Sequence, residues 1–552
     1  MKTRITKKSP VWNSLFPLAA GIGLAGLAAA EAPRPNIFVV MVDDQGFAQV
    51  DPFITGSHTT TEADPRVTEL FAGDPQRLAK AARESMPTLR SIAKEGVRFS
   101  DASVPLPVCS PSRAAFITGR YPQRFGVYSN NDVVASGVDR GEHFLSETFH
   151  ENGYATAIIG KWHLGEYVRE PLETDSVDYH RFNRVSMKEA DHPLRRGFDR
   201  YFGFTASGSN FYNPSSLFEG FEPIEESAYL TDAFTREALS FLENRDGDQP
   251  FFLFLSYNAP HIPVYEPAPD EYLSPFDTGN PAADNYYAKL RAVDAGLAQI
   301  RSWLKERGEW ENTFFVYFSD NGAVADSPHP RNAPLRGFKG QLQQGGVRVP
   351  MVWKLPRDPA VEAGSLYSRP VSSMDVLPTA LRLSGLPFRA ERPLDGKDLL
   401  PFLKDEQTGD PHAFLFYAGS HASHWSNKNL PFWEGYQAYL DAADPSLPHP
   451  VSEHVERYGP GGLSVRMGDW WLRWDGRSDE FVLHHLDGDV SEGKDVAAAS
   501  PERVERMKTA LRDWLKELPP PTDWERIFWE RQRKAVGLET DPGDHITDDA
   551  ER

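Results

Sequence analysis

Several short stretches of this chain are apolar almost without interruption and end in a small polar cluster. Residues 36–42 run into Asp43-Asp44-Gln45-Gly46, and residues 154–159 into Gly160-Lys161-Trp162-His163-Leu164-Gly165. Residues 250–257 lead to Asn258-Ala259-Pro260-His261, and residues 313–318 to Ser319-Asp320-Asn321-Gly322. A continuous apolar run of this length is the pattern of a strand buried on both faces, as in a parallel sheet covered by helices. Residues 97–103 and 350–355 read as further strands. Helical patterns lie between them at 86–96, 145–152, 232–244, 286–305 and 373–384. Within 286–305 the spacing of Leu290, Val293, Leu297 and Ile300 marks a buried face. The alternation predicts an α/β fold with a large mixed, mostly parallel sheet sandwiched by helices.

The pattern changes after Leu403. Loops rich in Gly, Pro, Asn and His run to Gly462, then residues 463–474 read as a hairpin turning at Gly468-Asp469. Residues 480–486 add a strand and 500–518 an amphipathic helix. An α/β domain over 31–403 is therefore expected to precede a smaller C-terminal antiparallel sheet plus helix over 404–518. Prolines at 519–521 end the helix and begin a tail over 519–552. Its first part, with Trp524, Phe528 and Trp529, is expected to dock, and its acidic end from Glu539 to be disordered. Residues 50–85 are polar and turn-rich apart from a helical piece at 77–83.

Length and charge narrow the picture. A chain of 552 residues is too long for one ordinary core. Its net charge of −20 supplies no global basic field, so no nucleic-acid partner is expected and an anionic substrate has to be attracted locally. Lys2, Arg4, Lys7 and Lys8 precede an apolar stretch that closes on Ala28-Ala29-Ala30. Residues 1–30 thus read as a secretory signal, which implies an exported, periplasmic or extracellular protein. With the signal removed, no stretch is long and apolar enough to span a bilayer.

The candidate chemistry centres on the single cysteine. Cys109 precedes Ser110-Pro111-Ser112-Arg113, which reads as a helix start with Ser110 as cap and Pro111 in the first helical position. Position 109 would then lie at a helix N-terminus, where backbone N–H groups favour an anion, with Arg113 one turn along. A lone cysteine is also commonly a small buried hydrophobe. The adjacent acids Asp43 and Asp44 repel each other unless a cation separates them, and Asp320 with Asn321 forms a second oxygen-rich cluster after a buried strand. Oxygen donors of this kind suit Ca²⁺ or Mg²⁺ rather than zinc. Asp-Asp is also a common solvated turn.

Cys-Ser-Pro-Ser-Arg followed by Thr118-Gly119-Arg120 resembles the signature of the type I sulfatases, in the alkaline phosphatase superfamily. The Gly160–Gly165 hexapeptide, the Pro260-His261 pair, Gly337-Phe338-Lys339-Gly340 and Gly345-Gly346-Val347-Arg348-Val349-Pro350 resemble further elements of that family, in order. The resemblance implies that Cys109 is converted to formylglycine by a formylglycine-generating or sulfatase-maturing enzyme. It implies Ca²⁺, ahead of Mg²⁺, held by Asp43, Asp44, Asp320, Asn321 and the residue made from Cys109. Arg113, Lys161 and Lys339 would neutralise sulfate oxygens, His261 would protonate the leaving oxygen, and His163 would release sulfate from position 109. The expected substrate is a sulfated poly- or oligosaccharide, with His421, His424 and Trp425 as candidates for its subsites. Competing readings are a phosphonate or phosphate ester hydrolase of the same superfamily, an arylsulfatase of small substrates, and a catalytically silent binder of sulfated glycans.

Overall fold

The structure is a computed structural model that describes residues 33–56, 74–172, 183–263, 266–324, 327, 331–356, 358–387, 392–419, 462–475, 479–523 and 526–538. The strand Asn36–Val42 lies at the middle of a ten-stranded sheet. It pairs in parallel with Phe251–Ser256 on one side and Thr313–Ser319 on the other. Beyond Phe251–Ser256 lie Ala155–Lys161 and Arg200–Phe204, again parallel. Beyond Thr313–Ser319, the strand Met351–Lys354 runs antiparallel and is followed by Val97–Phe99 and Ser365–Tyr367. The sheet is therefore mixed and mostly parallel, as expected.

The unbroken apolar runs follow from two cores. Phe38, Val40 and Val42 point into one, with residues from the helices Pro75–Glu84, Pro87–Glu95, Leu230–Asn244 and Pro281–Glu306. The alternate residues Ile37, Val39 and Met41 join the other, with residues from Cys109–Thr118, Leu145–Glu151 and Val376–Ser384. Strand side chains alternate between faces, so a strand with a core on each side has no position for a polar residue until it ends. Each wholly buried Phe or Leu contributes about 1.5–3 kcal/mol. The predicted face Leu290, Val293, Leu297 and Ile300 is buried in the first core.

A four-stranded antiparallel sheet (Leu415–Gly419, Gly462–Met467, Trp470–Asp475, Glu480–His485) follows, covered by the helix Pro501–Lys516. Its core also takes in Ala115, Tyr121, Tyr128 and Met374 from the large sheet's surroundings. The tail docks through Trp529, which is buried and donates its indole N–H to the Tyr128 hydroxyl at 3.2 Å. Trp524 and the acidic end from Glu539 lie outside the described residues, as does most of 50–85 between its helices.

Two local expectations need correction. The strand over 97–103 breaks after Phe99, and Ala102–Ser103 pairs instead with Val371–Ser372. The break turns Asp101 inward, where the Arg466 guanidinium grips both its carboxylate oxygens, at 3.0 and 2.5 Å. The helix at the cysteine starts at Cys109, with Val108 in the cap position and no side-chain cap, so Ser110 and Pro111 sit inside its first turn. The capping acceptor comes from elsewhere: Ser110 N–H donates to Asn130 Oδ1 at 3.0 Å.

Candidate active site

Parallel strands in register deliver their next residues to one edge of the sheet, and here those residues are polar or charged. Met41 pairs with both Ser256 and Phe318, and Ser256 with Gly160, which brings Asp43, Lys161, Asn258 and Asp320 to the same end. The first turn of Cys109–Thr118 lies against them. Cys109, Arg113, Lys161, His163, His261, Lys339, Asp43, Asp44, Asp320 and Asn321 are all buried.

Asp43 accepts from Lys161 Nζ through Oδ2 at 2.6 Å, and the Cys109 Sγ lies 3.6 Å from its Oδ1. Asp44 Oδ1 accepts from Lys339 Nζ at 2.6 Å and from Asn321 Nδ2 at 2.7 Å. Asp320 Oδ2 accepts from Arg113 Nη2 at 2.8 Å and Nε at 3.2 Å, while its Oδ1 accepts from the Asp44 N–H at 3.2 Å. Arg113 also donates to the Ser256 hydroxyl at 2.6 Å. Ser256 was not singled out in the sequence, although it ends a strand just as the charged residues do. Lys339 Nζ lies 3.2 Å from Cys109 Sγ.

The electrostatics follow from these distances. Burial pushes the Cys109 thiol up, but the ammonium groups of Lys161 and Lys339 outweigh it and hold the thiol well below its ordinary range. Burial also penalises the charged His261, yet Asp43 and Asp44 win and raise its imidazole above the ordinary value. Burial and the neighbouring Asp43 push Asp320 up to about 6, against Arg113 and Lys161.

His261 Nδ1 lies 2.9 Å from the Ile262 carbonyl, which can only accept, so Nδ1 carries a proton and Nε2 faces Asp44 Oδ2 at 3.5 Å. His163 lies past the end of its strand. The strand ends at Lys161 and His163 has φ 53°, so the two side chains are not related by strand alternation. Bonds on either side hold this turn: Trp162 N–H donates to the Phe204 carbonyl at 2.8 Å, and Glu166 N–H to Asp191 Oδ2 at 3.0 Å. The His163 ring lies 6.0 Å from that of Tyr167.

The site fits a divalent metal. Ligand atoms of Asp43, Asp44, Cys109 and His261 lie within 4.8 Å of one another. Asn321 Oδ1 is buried without a hydrogen-bond partner, an acceptor that a cation would satisfy. His261 lies beside the ligand atoms of Asp43, Asp44 and Cys109 as well, which the sequence did not point to. Asp320 spends Oδ2 on Arg113. The carboxylates Asp43, Asp44 and Asp320 are faced by the cationic side chains Arg113, Lys161 and Lys339.

The family model for sulfatases matches residues 35–386. The chain is 39% identical over 497 residues to the uncharacterized sulfatase YdeN of Escherichia coli K12, covering 88% of this chain and 86% of that one. It is 30% identical to the N-acetylgalactosamine-6-sulfatase of Canis lupus familiaris, covering 81% of each. Among solved structures it resembles Ps i-CgsB in complex with k-i-k-neocarrahexaose, with 27% identity, a TM-score of 0.68, and coverage of 91% of this chain and 98% of that one. The chain belongs to the sulfatase family, whose members hydrolyse sulfuric esters.

Proposed function

We propose that this sulfatase is an exported enzyme acting on a sulfated poly- or oligosaccharide, with Cys109 converted to formylglycine and Ca²⁺ at Asp43, Asp44, Asp320 and Asn321. One observation carries the mechanism: Cys109 lies in the first turn of a helix, buried, with Lys339 Nζ at 3.2 Å and Asp43 Oδ1 at 3.6 Å. A small side chain there meets a positive helix end, two lysines and a carboxylate pair, which suits a nucleophile approaching an anionic ester. A hydrated aldehyde at position 109 would supply the oxygen nucleophile, and a metal held by Asp43, Asp44, Asp320 and Asn321 would supply positive charge to the sulfate.

The chain's own residues do the remainder. Arg113, Lys161 and Lys339 hold cationic groups around the sulfate, in a site dry enough for each to act strongly. His261 presents Nε2 to the leaving oxygen and donates its proton there, a role its carboxylate neighbours favour by stabilising the imidazolium. His163 accepts a proton at position 109 when sulfate departs. A carbohydrate substrate is favoured by the relatives, one named for N-acetylgalactosamine-6-sulfate and another solved with a neocarrahexaose. His421, His424 and Trp425 lie outside the described residues.

Turnover of a panel of sulfated oligosaccharides, with a phosphonate monoester and an aryl sulfate alongside, tests this reading. Sulfate release that is fastest from a saccharide supports it. Faster phosphonate hydrolysis would transfer the site to the rival superfamily chemistry, and preference for the aryl ester would remove the carbohydrate assignment.

A further inference from the structure

Lys339 sits on a loop that closes on itself: Gly345 N–H donates to the Arg336 carbonyl at 2.7 Å, and Gln341 N–H to the Phe338 carbonyl at 2.9 Å. Backbone bonds tie the loop to the catalytic region, from Lys339 N–H to Ala323 (3.0 Å), from Gly340 N–H to Pro107 (2.8 Å) and from Gly322 N–H to Gly346 (2.9 Å). Asn332 Nδ2 donates to the Gly337 carbonyl at 3.1 Å and Ser464 Oγ to the Leu342 carbonyl at 2.9 Å, and further support comes from far along the chain. Glu492, in the turn after the last strand of the small sheet, accepts from the Gln344 N–H through Oε1 at 2.7 Å. Its backbone carbonyl accepts from Arg336 Nη1 at 3.2 Å. One residue thus holds the loop on both sides of Lys339.

Glu492 is an expensive residue to keep there. It is wholly buried, its Oε2 has no hydrogen-bond partner, and its φ is 54°. A left-handed non-glycine residue and an unsatisfied buried oxygen are each unfavourable. The turn is built to hold it even so. Asp489 Oδ1 accepts from Gly493 N–H at 2.9 Å, Asp489 Oδ2 accepts from Lys494 N–H at 2.9 Å, and His484 Nδ1 lies 3.0 Å from the Lys494 carbonyl. Burial pushes the Glu492 carboxyl up to about 7, against the Gln344 N–H and the guanidinium groups of Arg473 and Arg336.

We propose that Glu492 is a positioning residue through which the C-terminal part of the chain fixes the Lys339 ammonium against Asp44 and Cys109. The proposal rests on the reading of Lys339 as a sulfate-binding group. It also makes the C-terminal sheet part of the catalytic apparatus, although none of that sheet's described residues supplies a charge at the site.

The test combines hydrogen exchange with kinetics. In E492A, amides of residues 336–347 exchange about tenfold faster or more, and kcat on an aryl sulfate falls about 10- to 100-fold. E492Q keeps an acceptor oxygen toward Gln344 and recovers most of both losses. In a K339A background, E492A lowers kcat by less than about twofold further, because the group it positions is already gone. Unchanged exchange in E492A, failure of E492Q to recover the losses, or an equal kcat loss with and without Lys339 would overturn the proposal. Absence of turnover in the unmodified enzyme would count against the sulfatase mechanism, and the exchange measurement would still decide whether Glu492 holds the loop.

Discussion

Arg113 and Asp320 meet at 2.8 Å in a fully buried pair, one from the second turn of the cysteine helix and the other from the end of the strand Thr313–Ser319. Helix and strand are thereby locked at the point where the nucleophile sits. Removing one member of a buried pair leaves the other charged and unsolvated, so Asp320→Ala is expected to lower unfolding stability by about 3–5 kcal/mol. Urea unfolding of the purified variant measures it, and a loss below about 1 kcal/mol would mean that Arg113 finds another partner.

Metal binding is expected to stabilise the chain, because Asp43, Asp44 and the orphaned Asn321 Oδ1 come together only in the folded state. At a free ion concentration about a hundredfold above Kd, the gain is about 2.7 kcal/mol. Chelation should lower the thermal midpoint and Ca²⁺ should restore it, with a smaller shift in Asn321→Ala. Equal recovery with Mg²⁺ would argue against calcium selectivity.

Lys289 offers a pH test. It is buried on Pro281–Glu306, its Nζ donates to the Pro263 carbonyl at 2.6 Å, and burial lowers its pKa from 10.5 to about 7. Between those values the unfolded chain binds more protons than the folded one, so this group makes stability rise with pH, by up to about 1.4 kcal/mol per unit. Below about pH 7 both states are protonated and the slope vanishes. Lys289→Met should remove the rise between pH 7.5 and 9, which urea midpoints will report, and an unchanged slope would assign it to other groups.

His261→Ala should separate substrates by leaving group. A sugar alkoxide needs a proton and a nitrophenolate does not, so kcat should fall about 10²–10⁴-fold on a saccharide sulfate and much less on nitrophenyl sulfate. Equal losses would point to a metal-binding or structural role for this histidine, which also lies 3.5 Å from Asp44.

The sheet and most of its charged edge were legible in the sequence because they depend on local chemistry. An apolar run serving two cores has to end where the charges begin, which located Asp43, Lys161 and Asp320. Contacts between distant residues were not legible. The start of the cysteine helix was placed two residues late because Asn130, not Ser110, supplies its acceptor. The strand break at Asp101 depends on Arg466, and the Lys339 loop depends on Glu492. The left-handed φ of His163 was not legible either, because it leaves no mark in composition.

The peptide containing Cys109 gives the most direct test. Its mass should be measured after expression with a sulfatase-maturing enzyme, alongside a known sulfatase matured in the same cells. The account predicts that position 109 exchanges sulfur and two hydrogens for one oxygen, and that turnover follows the converted fraction. An intact thiol at full activity, while the companion sulfatase is converted, would contradict it.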